Sequence, residues 1–83
     1  PAPNPYYPAA GNLTIMNFPD NSVINLKIYN LEGLLVKKIE GSGNSIVWDG
    51  KNENGSVIAS GIYFYIARTQ KDFCKGKITV IKK

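Results

Sequence analysis

The chain of 83 residues has no histidine, one cysteine, one tryptophan and only six acidic residues. Without histidine it lacks the side chain most often used as a general base or metal ligand near neutral pH. One thiol cannot form an internal disulfide, and with no histidine beside it no zinc site can form. Cys74 is therefore expected to pack as a small apolar group. No window approaches the roughly 18 unbroken apolar residues of a membrane span, so no span is expected and the piece reads as soluble. Proline stands first and no charged leader precedes the rest, which is the expectation for a piece of a longer protein.

Catalysis is also poorly provided for. Acyl transfer or hydrolysis needs a nucleophile, a base within hydrogen-bond reach and an oxyanion donor. The acids Asp20, Glu32, Glu40, Asp49, Glu53 and Asp72 fall mostly in separate turns or strand ends. Only Asp49 and Glu53 share a loop, and so small a domain has little depth in which to desolvate two carboxylates and separate their pKa values. The expectation is no catalytic residue, no cofactor and no metal site.

What the chain does contain is β-forming sequence and an uneven charge. A domain of this size buries about 60 to 65% of its unfolded surface, enough for one core. The net charge is +4, and from Arg68 onward six basic residues face one acid, Asp72, leaving four basic and five acidic residues before them. Lysines at a sheet edge discourage aggregation. The sharper reading is an anionic partner such as a surface glycan; no nucleic-acid motif accompanies the lysines, so nucleic acid is not expected.

Four of the five prolines lie in "PAPNPYYPAAGN", which predicts an extended lead-in over residues 1–12, anchored by Tyr6 and Tyr7. Residues 13–83 read as the folded domain. "LTIMNF" is a first strand, closed by the turn "FPDNS". In "VINLKIYN", Ile24, Leu26 and Ile28 alternate with polar residues, the period of a strand with one wet face. "LLVKKIE" returns as a third strand whose broken alternation predicts a bulge. "GSGN" reads as a turn, and "SIVWD" as a strand with Ile46 and Trp48 on one side, so Trp48 is expected in the core. "SVIAS" is a short strand or extended link. "GIYFYIART" sets Ile62, Phe64 and Ile66 on one face and Tyr63, Tyr65 and Ala67 on the other; a strand apolar on both faces belongs in the middle of a sheet. After the turn "TQKD", "CKGKITVIKK" closes the chain with Ile78 and Val80 on one side. No amphipathic helix is present, and turns recur about every 8 to 12 residues, as in an all-β sandwich.

Between Trp48 and the aromatic run lie Asp49, Asn52, Glu53 and Asn54. As an EF-hand loop counted from Asp49 the segment fails, with Lys51 at position three and Asn54 at position six. A looser calcium site on Asp49, Asn52 and Asn54 is the alternative to a structural one. In the structural reading Asp49 accepts backbone N–H groups, Asn52 and Asn54 shape the turn, and Gly50 and Gly55 supply positive φ.

"APNPYYP", "INLKIYNLEGLLV", "WDGKNENGSVIASGIYFY" and "KGKITVIKK" resemble, in order and spacing, a bacterial domain family. It includes the immunoglobulin-like domain of the flagellar hook-capping protein and the C-terminal sorting domains of type IX secretion cargo. The most specific part is Trp48-Asp49-Gly50, followed by Gly55, Gly61 and Tyr63. The resemblance implies an immunoglobulin-like antiparallel β-sandwich of about seven strands at the C-terminus of a secreted or cell-surface bacterial protein. Its partners would be the secretion machinery or a neighbouring domain of the parent. Carried onto this chain, the proline-led approach falls on Asn4 and Pro5 and the first core hairpin on Ile28, Tyr29 and Gly33. The recognition strand falls on Lys77, Ile78, Val80, Lys82 and Lys83. The chain departs from its relatives at Ile66 and Ala67, which leaves the Ile62, Phe64 and Ile66 face open to cover by the parent's preceding domain.

Three functions follow in order: a sorting or surface-attachment module, a structural spacer or interaction domain of hook-cap type, and a carbohydrate-binding module. The last requires Trp48 and the tyrosines to form an exposed platform.

Overall fold

The structure is a computed structural model that describes residues 5–15, 22–43, 45–70 and 73–82. The turn expected at 18–22 and the second half of the first strand lie wholly or mostly outside these residues. Asn4, Asn44, Lys71, Asp72 and Lys83 lie outside them too.

Six strands are named among the described residues: β1 (Leu13–Ile15), β2 (Ser22–Asn30), β3 (Leu35–Gly43), β4 (Ile46–Trp48), β5 (Gly61–Arg68) and β6 (Phe73–Val80). They form two antiparallel sheets, one of four strands in the order β3-β2-β5-β6 and one pairing β1 with β4. The fold is an all-β, immunoglobulin-like sandwich. Two short pairings, Tyr6 with Val80 and Lys51 with Val57, add to the strands.

Alternation decides which side chains meet between the layers. Ile24, Leu26 and Ile28 of β2 point inward and are fully buried, as are Trp48 of β4 and Ile78 of β6. Tyr63, Tyr65 and Ala67 supply the inner face of β5, and Leu13, Ile46, Ile58 and Val80 complete one continuous core. Each such aliphatic or aromatic side chain contributes about 1.5 to 3 kcal/mol when removed from water. β5 lies between β2 and β6, the interior position that its two apolar faces predicted.

The broken alternation of the third strand has a structural counterpart. Ile28 pairs with Lys37 but Tyr29 pairs with Leu35, so Val36 is the extra residue of a bulge, and it packs against the core. Three sequence expectations are corrected. "GSG" is not a turn: Gly41, Ser42 and Gly43 continue β3 opposite Ile24, Val23 and Ser22. A Cβ at Gly41 would stand 3.7 Å from Ile46 Cδ1, an ordinary contact, so the strand there does not require glycine. Cys74 is exposed rather than packed, since it lies near the start of an outermost strand. The lead-in also contains one 3₁₀ turn, Pro8–Ala10, where a wholly extended path was expected. No helix among the described residues is long and apolar enough to cross a membrane.

Candidate functional site

The segment from Trp48 to Tyr63 is built around the tryptophan. Trp48 is fully buried and its indole N–H donates to the Lys51 carbonyl at 3.0 Å, so the polar atom of a core side chain is satisfied by the loop that follows it. Burial removes Trp48 from any carbohydrate platform. Asp49 is exposed, and its Oδ1 accepts the Lys51 N–H at 3.0 Å. Asn52 Oδ1 accepts from Asn54 N–H at 2.9 Å and from Ser56 N–H at 3.1 Å. These oxygens are engaged by the main chain, the work of Asx turns. Gly50 and Gly55 hold φ of +77° and +81°. Tyr63, at the far end, is buried and its hydroxyl donates to the Ala59 carbonyl at 2.8 Å; burial raises its pKa above the usual tyrosine value. Gly61, at the start of β5, is exposed.

Glu53 has a role that its sequence context does not disclose. Its Oε1 accepts the Lys38 N–H at 2.7 Å, and its own N–H donates to the Val36 carbonyl at 3.2 Å. The loop thereby caps the free edge of β3 at the bulge. The partners are fifteen residues apart, so no local pattern marks them.

At the opposite edge of the sheet the lead-in closes β6. Tyr6 N–H donates to the Thr79 carbonyl at 2.7 Å, and Ile81 N–H donates to the Tyr6 carbonyl at 2.9 Å. The Tyr6 ring is buried against Trp48, centroids 5.8 Å apart, and its hydroxyl donates to the Gly11 carbonyl at 3.0 Å. Burial, then the Asp49 carboxylate, raises the Tyr6 pKa, opposed by a backbone hydrogen bond at Leu13. Tyr7, the other expected anchor, is exposed at 37%.

The members of the expected recognition strand part company. Ile78 and Val80 are core residues, 0% and 1% exposed. Lys77 and Lys82 are exposed, and the Lys82 N–H is held by Ser60 Oγ at 2.8 Å. Beneath the same strand the Tyr65 ring lies across Gly76, where a Cβ would stand only 2.6 Å from Cε2. Burial, then the neighbouring Cys74 thiol and its hydrogen bond, raises the Tyr65 pKa.

A bulge capped by a loop carboxylate, a WDG turn over a buried indole and a lead-in sewn to β6 form one connected unit in this chain. The sequence family described as CHU_C Type IX secretion signal domain matches residues 6–80. The chain belongs to that family. The match begins at Tyr6, the residue that binds the lead-in to β6, and ends at Val80, its partner. Among solved structures the chain is similar to PorZ of Porphyromonas gingivalis, described as an essential bacterial surface component of the type IX secretion system. The identity is 24% and the TM-score 0.74, over 95% of this chain and 11% of that one. It is similar to dimeric latent PorU of the same organism at 21% identity and TM-score 0.71, over 98% of this chain and 9% of that one. FlgD of P. aeruginosa matches at 26% identity and TM-score 0.59, over 81% of this chain and 55% of that one. Both branches of the resemblance are thus represented. The chain spans about a tenth of PorZ and PorU, and their likeness speaks for the fold. No curated protein matches the chain.

Proposed function

We propose that the domain is the non-catalytic C-terminal module of a larger exported bacterial protein, acting as its type IX sorting or cell-surface attachment signal. The observation that carries this reading is the family match across residues 6–80. On this reading the parent is secreted or held at the cell surface, and the partner is the secretion machinery or a neighbouring domain of the parent. Residues 1–12 are the approach from the parent and residues 13–83 the sandwich, with Tyr6 of the approach inserted in the core. Recognition through the last strand falls on Lys77 and Lys82, because Ile78 and Val80 face inward. The similarity to FlgD favours the second reading, a spacer or interaction domain.

Fusion of the chain to a periplasm-directed reporter in a host with type IX secretion separates the two. A sorting signal sends the reporter out of the cell, and does so only while the secretion channel is intact. A reporter retained in the periplasm while the secretion channel is intact overturns the sorting reading and leaves the spacer. Lys77→Gln with Lys82→Gln tests the strand without removing core residues, as truncation at Lys77 would.

A further inference from the structure

The outer face of the four-stranded sheet is neither a plain wet surface nor a buried one. Pairing across β3, β2, β5 and β6 aligns Lys38, Lys27, Ile66 and Lys75 in one row. With strands about 4.8 Å apart, the row is about 14 Å long. In the next row one way, Arg68 stands over the Phe73 ring, its guanidinium carbon 5.7 Å from the centroid. In the row the other way, Tyr29 is beside Phe64, which is 40% exposed. Ile62, also on this face, is 39% exposed. Lys27, Lys38, Arg68 and Lys75 are exposed and make no ion pair among the described residues. Glu40 is the one carboxylate in the three rows.

Two features show that folding alone does not account for this face. Lys27 and Lys38 are direct cross-strand neighbours, an arrangement that repels and lowers sheet stability. Phe64 and Phe73 are exposed in the rows on either side of the Lys38-Lys27-Ile66-Lys75 row, and Ile62 in the row beyond Phe64, so apolar side chains interleave with cations where water would otherwise meet polar ones. That mixture is found in protein interfaces, and five cations (Lys27, Lys38, Arg68, Lys75 and Lys77) against the one carboxylate of Glu40 select an acidic partner. A glycan would call for paired donors and acceptors around its rings, whereas Asn25 and Glu40, with the Tyr29 hydroxyl, are the only polar acceptors among the paired side chains of the three rows.

We infer that the outer face of β3-β2-β5-β6 docks an acidic protein surface of the export apparatus. This rests on the sorting reading for the identity of the partner, while the acidic chemistry rests on the face itself. Lys27 is the decisive position, because docking relieves a repulsion that the free domain carries.

Titration of the isotope-labelled chain with poly-L-glutamate, followed by amide shifts, tests the surface. Saturable shifts are expected along the Lys27, Ile66 and Lys75 row, weakened about tenfold between low and moderately high salt. Lys27→Glu should weaken binding by about tenfold while raising the melting temperature by a few degrees, since the pair with Lys38 becomes attractive. Lys51→Gln, on the loop, should change neither. Shifts confined to other faces, or binding unmoved by Lys27→Glu, would overturn the proposal, and tighter binding of heparin at the same row would make it a glycan surface. In the reporter host, Lys27→Glu should lower export in spite of greater stability. Export of that variant at the wild-type level discards the apparatus as occupant and leaves the sorting reading standing. Retention of the wild type ends the sorting reading and with it the apparatus as occupant, and the titration still decides whether the face takes an acidic polypeptide.

Discussion

The four-stranded sheet has two edges, one closed by a segment rooted in the core and the other by a residue of an exposed loop. At β6 the closure is main chain and core: Tyr6 exchanges backbone hydrogen bonds with Thr79 and Ile81 while its ring is buried against Trp48. At β3 it is one exposed loop residue, Glu53, whose carboxylate holds the Lys38 N–H and whose own N–H donates to the Val36 carbonyl. Both deny an open ladder to another chain. They differ in what must be given up to reopen them. The β3 closure can be released without disturbing the core, whereas the β6 closure cannot, and it ties the lead-in to β6. The hold on β6 is thereby made sensitive to how the lead-in enters the sandwich.

The largest effect should come from breaking the β6 side. Tyr6→Ala removes a buried ring, its hydrogen bond to Gly11 and the contact with Trp48, and should lower stability by about 3 to 5 kcal/mol. Urea denaturation measures the loss, and amide exchange at Ile81 should rise toward the rate of an open strand. A loss below about 1 kcal/mol would mean that the lead-in merely lies on the sheet.

A pair of glycines sharpens the same point with a smaller effect. Gly50 and Gly55 have nearly equal positive φ, +77° and +81°. A Cβ at Gly50 would stand 2.9 Å from Pro8 Cβ and 3.0 Å from the Tyr6 hydroxyl, whereas at Gly55 nothing lies within 4 Å. Gly55→Ala should therefore cost only the backbone term, about 1 kcal/mol. Gly50→Ala should cost that plus overpacking, about 2 to 4 kcal/mol in all, by pushing the lead-in off the loop. Equal losses in thermal or urea unfolding would show that the lead-in yields freely and is not clamped.

Much of this architecture is written locally, and the two closures mark where local reading stops. Period-two alternation in residues 23–30 identifies β2, and the shared parity of Ile46 and Trp48 puts both in the core, because side-chain direction in a strand follows from position alone. The turn chemistry of Asn52, Gly50 and Gly55 is legible for the same reason. The Tyr6 pairing with Val80 joins the two ends of the chain, and the Glu53 bond to Lys38 follows from where a bulge leaves an unpaired N–H. The strand in "GSG" was hidden because glycine and serine signal turns unless a partner strand, here the start of β2, is long enough to hold them. The row of Lys38, Lys27 and Lys75 needs the register of four strands before it exists at all.

The smallest expected effect on stability is at the β3 edge, and there it is accompanied by a change of another kind. Glu53→Ala leaves the Lys38 N–H to water, which replaces most of what the carboxylate provided at an exposed site, so the loss should be about 0.5 to 1.5 kcal/mol. The released edge carries Val36 and Leu35 near the bulge, and Leu35 is 49% exposed. The main-chain bond from residue 53 to the Val36 carbonyl remains, but an apolar edge with the Lys38 N–H uncapped invites pairing with a second copy. Sedimentation velocity should therefore show concentration-dependent self-association in Glu53→Ala that is absent from Glu53→Gln, whose amide oxygen still accepts the Lys38 N–H. If both variants stay monomeric, the bulge alone protects β3, and the carboxylate serves only to position the loop.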